Sequence, residues 1–135
     1  PFGTGAVAIA EVRTDGTGFR DVITHAMRPP GSRTDQGMHH ADYAPDGSII
    51  FESGWTGDQI WRLAPGSSQP VRFSGANNEV SPCVLADGRV VTLWLDRPGN
   101  PAGFHELSVR KADGTYLFTL LPQTDIEDIG ISCGG

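Results

Sequence analysis

The sequence predicts an all-β protein built as one domain. Its 135 residues include 18 glycines and 10 prolines, and only 19% of them are charged. That composition favours short strands joined by tight turns. No segment shows the apolar period of a helix, whereas short apolar runs recur between Asp-Gly pairs along the whole chain. A chain of this length can bury a core if its strands close on themselves.

The first strands form a predicted hairpin. Residues 6–12 are an apolar run, the turn Thr14-Asp15-Gly16-Thr17-Gly18 follows, and residues 19–24 return as the second strand. Glycine supplies the positive φ that such a reversal needs. Residues 28–37, rich in proline, glycine and arginine, are then predicted to be a loop.

Two units of four strands follow. Each begins with a strand, an Asp-Gly turn and a second apolar strand, as in the turn Pro45-Asp46-Gly47. In the second unit, residues 89–95 are apolar on both faces, which predicts a strand buried on both sides. A new first strand is predicted over residues 124–132. The eight strands of the two units are predicted at residues 39–44, 48–53, 59–63, 70–73, 80–85, 89–95, 106–110 and 115–121.

The units are spaced as a repeat. Asp46-Gly47 and Asp87-Gly88 stand 41 residues apart, and four strands every 40–50 residues are typical of β-propeller blades. We therefore divide the single domain 1–135 into four parts. These are the last strands of a split blade with its loop (1–37), two full blades (38–75 and 76–122) and the first strand of another blade (123–135).

The first unit resembles a known repeat. Tyr43-Ala44-Pro45-Asp46-Gly47, Ile49–Ser53 and Gln59-Ile60-Trp61 are similar to the TolB-like, WD40-like PD40 repeat, with Ala44 in place of its serine and Trp61 in place of its tyrosine. The resemblance covers residues 38–121 and implies a propeller. Propellers of this family dock proteins, bind sugars or polyuronates, or form accessory domains of peptidases. Many are exported, so the resemblance implies a periplasmic or extracellular location.

The number of blades predicts self-association. The chain supplies about three blades' worth of strands, whereas a propeller closes with about four to eight. Two copies would give about six blades, so a homodimer is expected. The alternative is that the chain is a fragment of a longer propeller.

The net negative charge of the chain disfavours some classes of binding partner. Sixteen acidic against ten basic residues give a net charge of −6, which disfavours nucleic acid and anionic membrane surfaces. No apolar run is long enough to be inserted in a membrane. The two cysteines, Cys83 and Cys133, leave open whether they form a disulfide or remain separate core residues.

A polar cluster, Met38-His39-His40-Ala41-Asp42, opens the first full unit. On a regular strand His40 and Asp42 share one face and His39 points to the other. Since the first strand of each blade lines the propeller channel, His40 and Asp42 are candidate ligands of a divalent cation such as zinc or manganese. No other cofactor is predicted.

Further polar residues precede the corresponding strands. Asn77 and Glu79 open the second unit, and Asp125 opens the last segment, so together with the histidine cluster they are predicted to ring one mouth of the channel. Trp55, in a glycine-flanked loop, is the candidate sugar-stacking residue.

No catalytic residue is assigned. Residues 130–134 match the G-x-S-x-G nucleophile motif, but only Gly135 follows, so the required helix, acid and histidine are missing. We expect a non-catalytic binding module for a protein or carbohydrate. The alternative is a metal-dependent enzyme resembling the polyuronate lyase branch of these propellers, or a fragment of a larger propeller enzyme.

Overall fold

The computed structural model describes residues 9–29, 37–54, 59–95 and 105–124. The all-β prediction is confirmed in this part of the chain, where the one helical segment is a 3-10 turn at His25–Met27. No helix there is long and apolar enough to cross a membrane. The strands are β1 (Ile9–Glu11), β2 (Arg20–Ile23), β3 (Met38–Tyr43), β4 (Ile49–Ser53), β5 (Gln59–Leu63), β6 (Val71–Arg72), β7 (Glu79–Val84), β8 (Val90–Trp94), β9 (His105–Arg110) and β10 (Tyr116–Thr124).

The ten strands form three antiparallel sheets. β1 and β2 make a two-stranded hairpin sheet, β3-β4-β5-β6 make a first meander, and β7-β8-β9-β10 make a second meander. Most predicted strand limits agree with these bounds to within one residue. The new strand predicted from Thr124 is corrected at its first residue, because the uncharged run of β10 continues through Pro122 to Thr124. Residues 125–132 lie outside the described part of the chain.

The first meander is the middle layer. Ile49 and Phe51 of β4 pack with Ile23 of the hairpin sheet, whereas Ile50, from the opposite face of the same strand, packs with Val90 of the second meander. This alternation follows from the two-residue period of a strand. β8 is likewise buried on both faces, as predicted from its apolar sequence.

The two meanders repeat an irregularity at a fixed spacing. One extra residue stands in β3 between His39 and Asp42, and one in β7 between Val80 and Cys83. Within these bulges His40 has a φ of 46° and Ser81 a φ of 52°, and they are 41 residues apart in the sequence. The bulges thus recur with the same 41-residue spacing as the Asp-Gly turns, although the turns do not determine where the bulges lie.

Four Asp-Gly turns share one construction. In the β3–β4 turn, Gly47 donates its N–H to the carbonyl of Ala44 at 2.8 Å, and Oδ1 of Asp46 accepts the N–H of Ser48 at 2.9 Å. Gly47 has a φ of 81°, a conformation that costs glycine little. The same carboxylate-to-backbone bond is formed by Asp15, Asp87 and Asp113 in the other three turns.

The aspartates of these turns are expected to make the stability of the fold sensitive to acid. The N–H of Ser48, then its hydroxyl and Arg62, hold the pKa of Asp46 below its ordinary value, and backbone N–H groups hold the pKa values of Asp87 and Asp113 low as well. A lowered folded-state pKa gives stability that is present above the unfolded pKa of about 3.9 and is lost as the pH falls through the folded value. The free energy of unfolding is therefore expected to be steady above about pH 5 and to decline below about pH 4.

Urea unfolding measured across this pH range checks the expectation. The control is Asp46→Asn, whose side-chain oxygen can still accept the N–H of Ser48 but does not titrate. This variant should lose less stability on acidification than the unaltered chain. A free energy of unfolding that stays constant or rises between about pH 5 and pH 3 would contradict the prediction.

Cys83 forms a disulfide bond. It lies on the outer face of the second meander, where it packs with Val91 and Val109. Cys133, the other cysteine of the sequence, lies outside the described residues. Of the two possibilities left open by the sequence, Cys83 as a free core thiol is therefore excluded.

Candidate functional site

Polar side chains gather at one end of the two meanders. Met38 at the start of β3 lies opposite Ser53, and Ser53 lies opposite Gln59 at the start of β5. The start of β7 comes to this end because Ser81 contacts β4. We call the group of His39, His40, Gln59 and Asn77 the rim surface. Its histidines and Asn77 are exposed, and Gln59 is half-buried.

His40 is held by a buried carboxylate. Its Nδ1 lies 3.0 Å from Oε2 of Glu52, and the side chain of Glu52 is 8% exposed against 61% for His40. The same oxygen accepts the N–H of Ser81 at 2.8 Å. Because a carboxylate only accepts, the imidazole must donate its Nδ1–H, and in the neutral ring Nε2 then carries the lone pair. The ring is therefore fixed in one tautomer.

Uncommon backbone conformations mark the same end. His40, Asn78 and Ser81 are the non-glycine residues with positive φ in the described part of the chain, at 46°, 60° and 52°. Such conformations are costly and cluster at functional sites. Two of the three belong to the bulges, and the bulge in β3 is what turns His40 towards Glu52.

Asn77 is also positioned by neighbours. Its Oδ1 accepts a hydrogen bond from Nη2 of Arg72 at 2.6 Å and one from Nε2 of Gln59 at 3.3 Å. The oxygen of this amide is thus committed to the protein. The Nδ2 amino group is the part of Asn77 that can donate to a ligand.

Asp42 serves the packing of the two meanders. Its carboxylate accepts the N–H of Tyr43 at 2.8 Å and the N–H of Val84 in β7 at 2.8 Å. His40 and Asp42 both lie on the side of β3 that faces β7, but they bind different partners, since His40 contacts Glu52 and Asp42 binds Val84. The described residues contain no group of three histidine, cysteine, aspartate or glutamate side chains that could hold a metal ion. The predicted cation site therefore gains no support here.

Glu79 is buried and does not lie on the rim. It is 0% exposed, and its Oε1 accepts hydrogen bonds from Nε of Arg110 at 2.7 Å and from Thr92 at 2.8 Å. Its other oxygen accepts the hydroxyl of Ser74. The structure therefore places Glu79 inside the sheet, where Arg110 of β9 reaches its carboxylate, and not on the rim where it was predicted.

Two predicted site residues cannot be placed. Trp55 and Asp125 lie outside the described residues, so their roles stay predictions. Conversely, the sequence reasoning missed Glu52 and Gln59. Glu52 had a detectable signal, since it is the one charged residue in the strand Ile49–Ser53 and directly follows three apolar residues, and a buried charge requires a partner.

Comparison with known proteins does not assign this chain to a family. The chain matches no family model, no curated protein and no solved structure at a significant level. The resemblance to the TolB-like repeat therefore stays a prediction from the sequence.

Proposed function

We propose that the chain is part of a TolB-like β-propeller and acts as a non-catalytic binding module. Three features support this proposal. The two meanders have four strands each, their turns and bulges recur at 41 residues, and they lie face to face through Ile50 and Val90. This is the arrangement expected of neighbouring blades.

The ligand that best fits the rim surface is a hydroxyl-rich carbohydrate. The surface offers two imidazoles and two amides, which donate and accept hydrogen bonds of the kind that pair with hydroxyl groups. The observation that carries the proposal is the His40–Glu52 hydrogen bond. A side chain already fixed in its bound orientation loses less conformational entropy when a ligand arrives.

An oligosaccharide array with neutral and acidic members tests the proposal. For the sugar that binds best, His40→Ala should weaken the affinity about tenfold, which corresponds to about 1.4 kcal/mol. Glu52→Gln should weaken it less, because the imidazole remains but is held less firmly. Lys111→Ala is the matched control, an exposed substitution in the β9–β10 turn at the other end of the sheets. An array without binding, or equal affinities for His40→Ala and Lys111→Ala, would refute the carbohydrate proposal.

The His40–Glu52 pair also supports an alternative function, that of an enzyme. An exposed imidazole aligned by a buried carboxylate is the arrangement used in general acid–base catalysis. The test is to incubate the chain with acidic oligosaccharides, with and without added divalent cation, and to follow new reducing ends and unsaturated products. Turnover that disappears in His40→Ala would replace the binding proposal by a lyase-like or hydrolytic activity.

An exported location belongs to the same proposal. Disulfides form and persist mainly in oxidising compartments, and the bond at Cys83 therefore supports a periplasmic or extracellular site for the protein. Mass spectrometry of thiol-blocked protein, extracted without reductant, measures whether the disulfide forms in the cell.

A further inference from the structure

The outer face of the second meander is buried, although it points away from the first meander. The first meander contacts the second through β7 and through Val90, on the inner face. A buried sheet face needs a second layer, and the apolar neighbours that the structure describes on the outer face, Leu85 and Leu107, belong to the same meander. We call the outer-face cluster the residues of this face that are at most 8% exposed, which are Cys83, Val91, Leu93 and Val109.

Cys83 occupies the position in the second meander that Asp42 occupies in the first. The residues opposite them on the next strand are Val91 and Ile50, so both pairs of equivalent residues stand 41 residues apart. In the first meander, the carboxylate of Asp42 accepts the N–H of Val84 and thereby binds the unit that follows in the sequence. The second meander carries a disulfide at the same place.

The chain contains one possible partner for the thiol of Cys83. Cys133 is its only other cysteine, so a disulfide within the chain must join these two residues. β10 and β7 are opposite edges of the second meander, and three strand spacings with a shift of about four residues along the strands separate Thr124 from Cys83 by about 20 Å. The nine residues from 125 to 133 span up to about 30 Å when extended. The segment is therefore long enough.

We infer that Cys83 is bonded to Cys133 of the same chain, and that residues 125–132 cover the outer-face cluster. The segment suits an apolar face, because three of its eight residues are isoleucines and the others are acidic, glycine or serine. The packing of the isoleucines and the disulfide both hold it in place. This inference uses the disulfide and the burial of the outer face, and it does not depend on the proposed sugar binding.

Mass spectrometry of the unreduced protein tests the pairing. The bond forms by exchange with a small disulfide such as oxidised glutathione, which is reduced as the two thiols are oxidised. Trypsin cuts after arginine and lysine, which places Cys83 in peptide 73–89 and Cys133 in peptide 112–135. These peptides should appear as one linked species that dithiothreitol separates, and the denatured, unreduced chain should keep the single-chain mass of 14.4 kDa. An absent link, or a link found only in a species of doubled mass, would overturn the pairing.

The thiol of Cys83 reports whether the segment covers the face. In Cys133→Ser this thiol is free, and its rate of alkylation by iodoacetamide in the folded protein measures its accessibility. Aspartates in place of the three isoleucines should raise that rate about tenfold or more, because the cover is lost. The three substitutions, made in the Cys133→Ser chain, are Ile126→Asp, Ile129→Asp and Ile131→Asp. The matched control changes the acidic residues of the same segment and should leave the rate unaltered, with Asp125→Asn, Glu127→Gln and Asp128→Asn.

Equal alkylation rates in the isoleucine variant and the control variant would overturn the inference, since another part of the chain would then cover the outer-face cluster. Circular dichroism verifies that each variant is folded, and Ile129→Asp alone replaces the triple variant if that variant is not. Failure here is distinct from failure of the proposed function, because the sugar array reads the rim surface and uses none of these substitutions.

Discussion

Replacement of Arg110 by alanine is expected to lower the free energy of unfolding by about 3–5 kcal/mol. Arg110 is 4% exposed and is the cationic partner of Glu79, which is 0% exposed. It also donates to the carbonyl of Gly114 at 3.0 Å and lies 5.4 Å from the ring centroid of Trp94. Removing the guanidinium leaves a carboxylate without its cation in the interior, and this uncompensated charge dominates the loss.

Urea denaturation at neutral pH measures this loss, with Arg89→Ala as the matched control. Arg89 forms an ion pair with Asp87 in which both side chains are about half exposed, and such pairs contribute less than about 1 kcal/mol. The double variant Glu79→Gln/Arg110→Met removes both charges and should be more stable than Arg110→Ala alone. Equal losses for Arg110→Ala and Arg89→Ala would show that the buried pair does not stabilise the sheet.

Replacement of Gly114 by alanine is expected to cost about 3 kcal/mol or more in the free energy of unfolding. Gly114 has a φ of 87° and is buried where the β9–β10 turn meets the first meander. A Cβ built at this position would overlap the backbone carbonyl of Phe73. Two costs therefore combine, the left-handed conformation of a residue with a Cβ and the displacement of a backbone segment.

Gly16→Ala separates the two costs. Gly16 occupies the same position of an Asp-Gly turn with a φ of 81°, and a Cβ there would meet no atom within 4 Å. Its loss should be the conformational part alone, about 1–2 kcal/mol. The difference between the two thermal or urea midpoints thus measures how tightly the turn fits against Phe73. Identical losses would contradict this packing.

The strand order could be predicted because it is fixed by local chemistry. Each Asp-Gly turn supplies its own carboxylate-to-backbone bond and its own positive φ, so hairpins such as the one at Asp46-Gly47 are readable from a few neighbouring residues. The alternation of buried faces along β4 and β8 is also local, since it follows from the two-residue period of a strand.

The site could be predicted only in part, because its geometry depends on contacts between distant residues. Glu79 and Arg110 are 31 residues apart in the sequence, and nothing near Glu79 indicates that a guanidinium will reach it. The residue types at the two bulges, a histidine at 40 and a serine at 81, give no signal in the sequence that their φ is positive. As a result, the sequence gives no sign of the partner of His40, whereas the polarity of His39 and His40 is evident from their residue type alone.

The tautomer of His40 is the most direct test of the site on which the proposed function rests. Nuclear magnetic resonance of ¹⁵N-labelled protein distinguishes the two ring nitrogens, and at about pH 8 an ordinary imidazole is neutral. His40 is expected to carry its proton on Nδ1 and to donate it to Glu52, and Glu52→Gln is expected to weaken this preference. The exposed ring of His39 serves as the internal reference. A His40 ring protonated on Nε2, with the same signals as His39, would contradict the fixed imidazole and remove the main support for the binding surface.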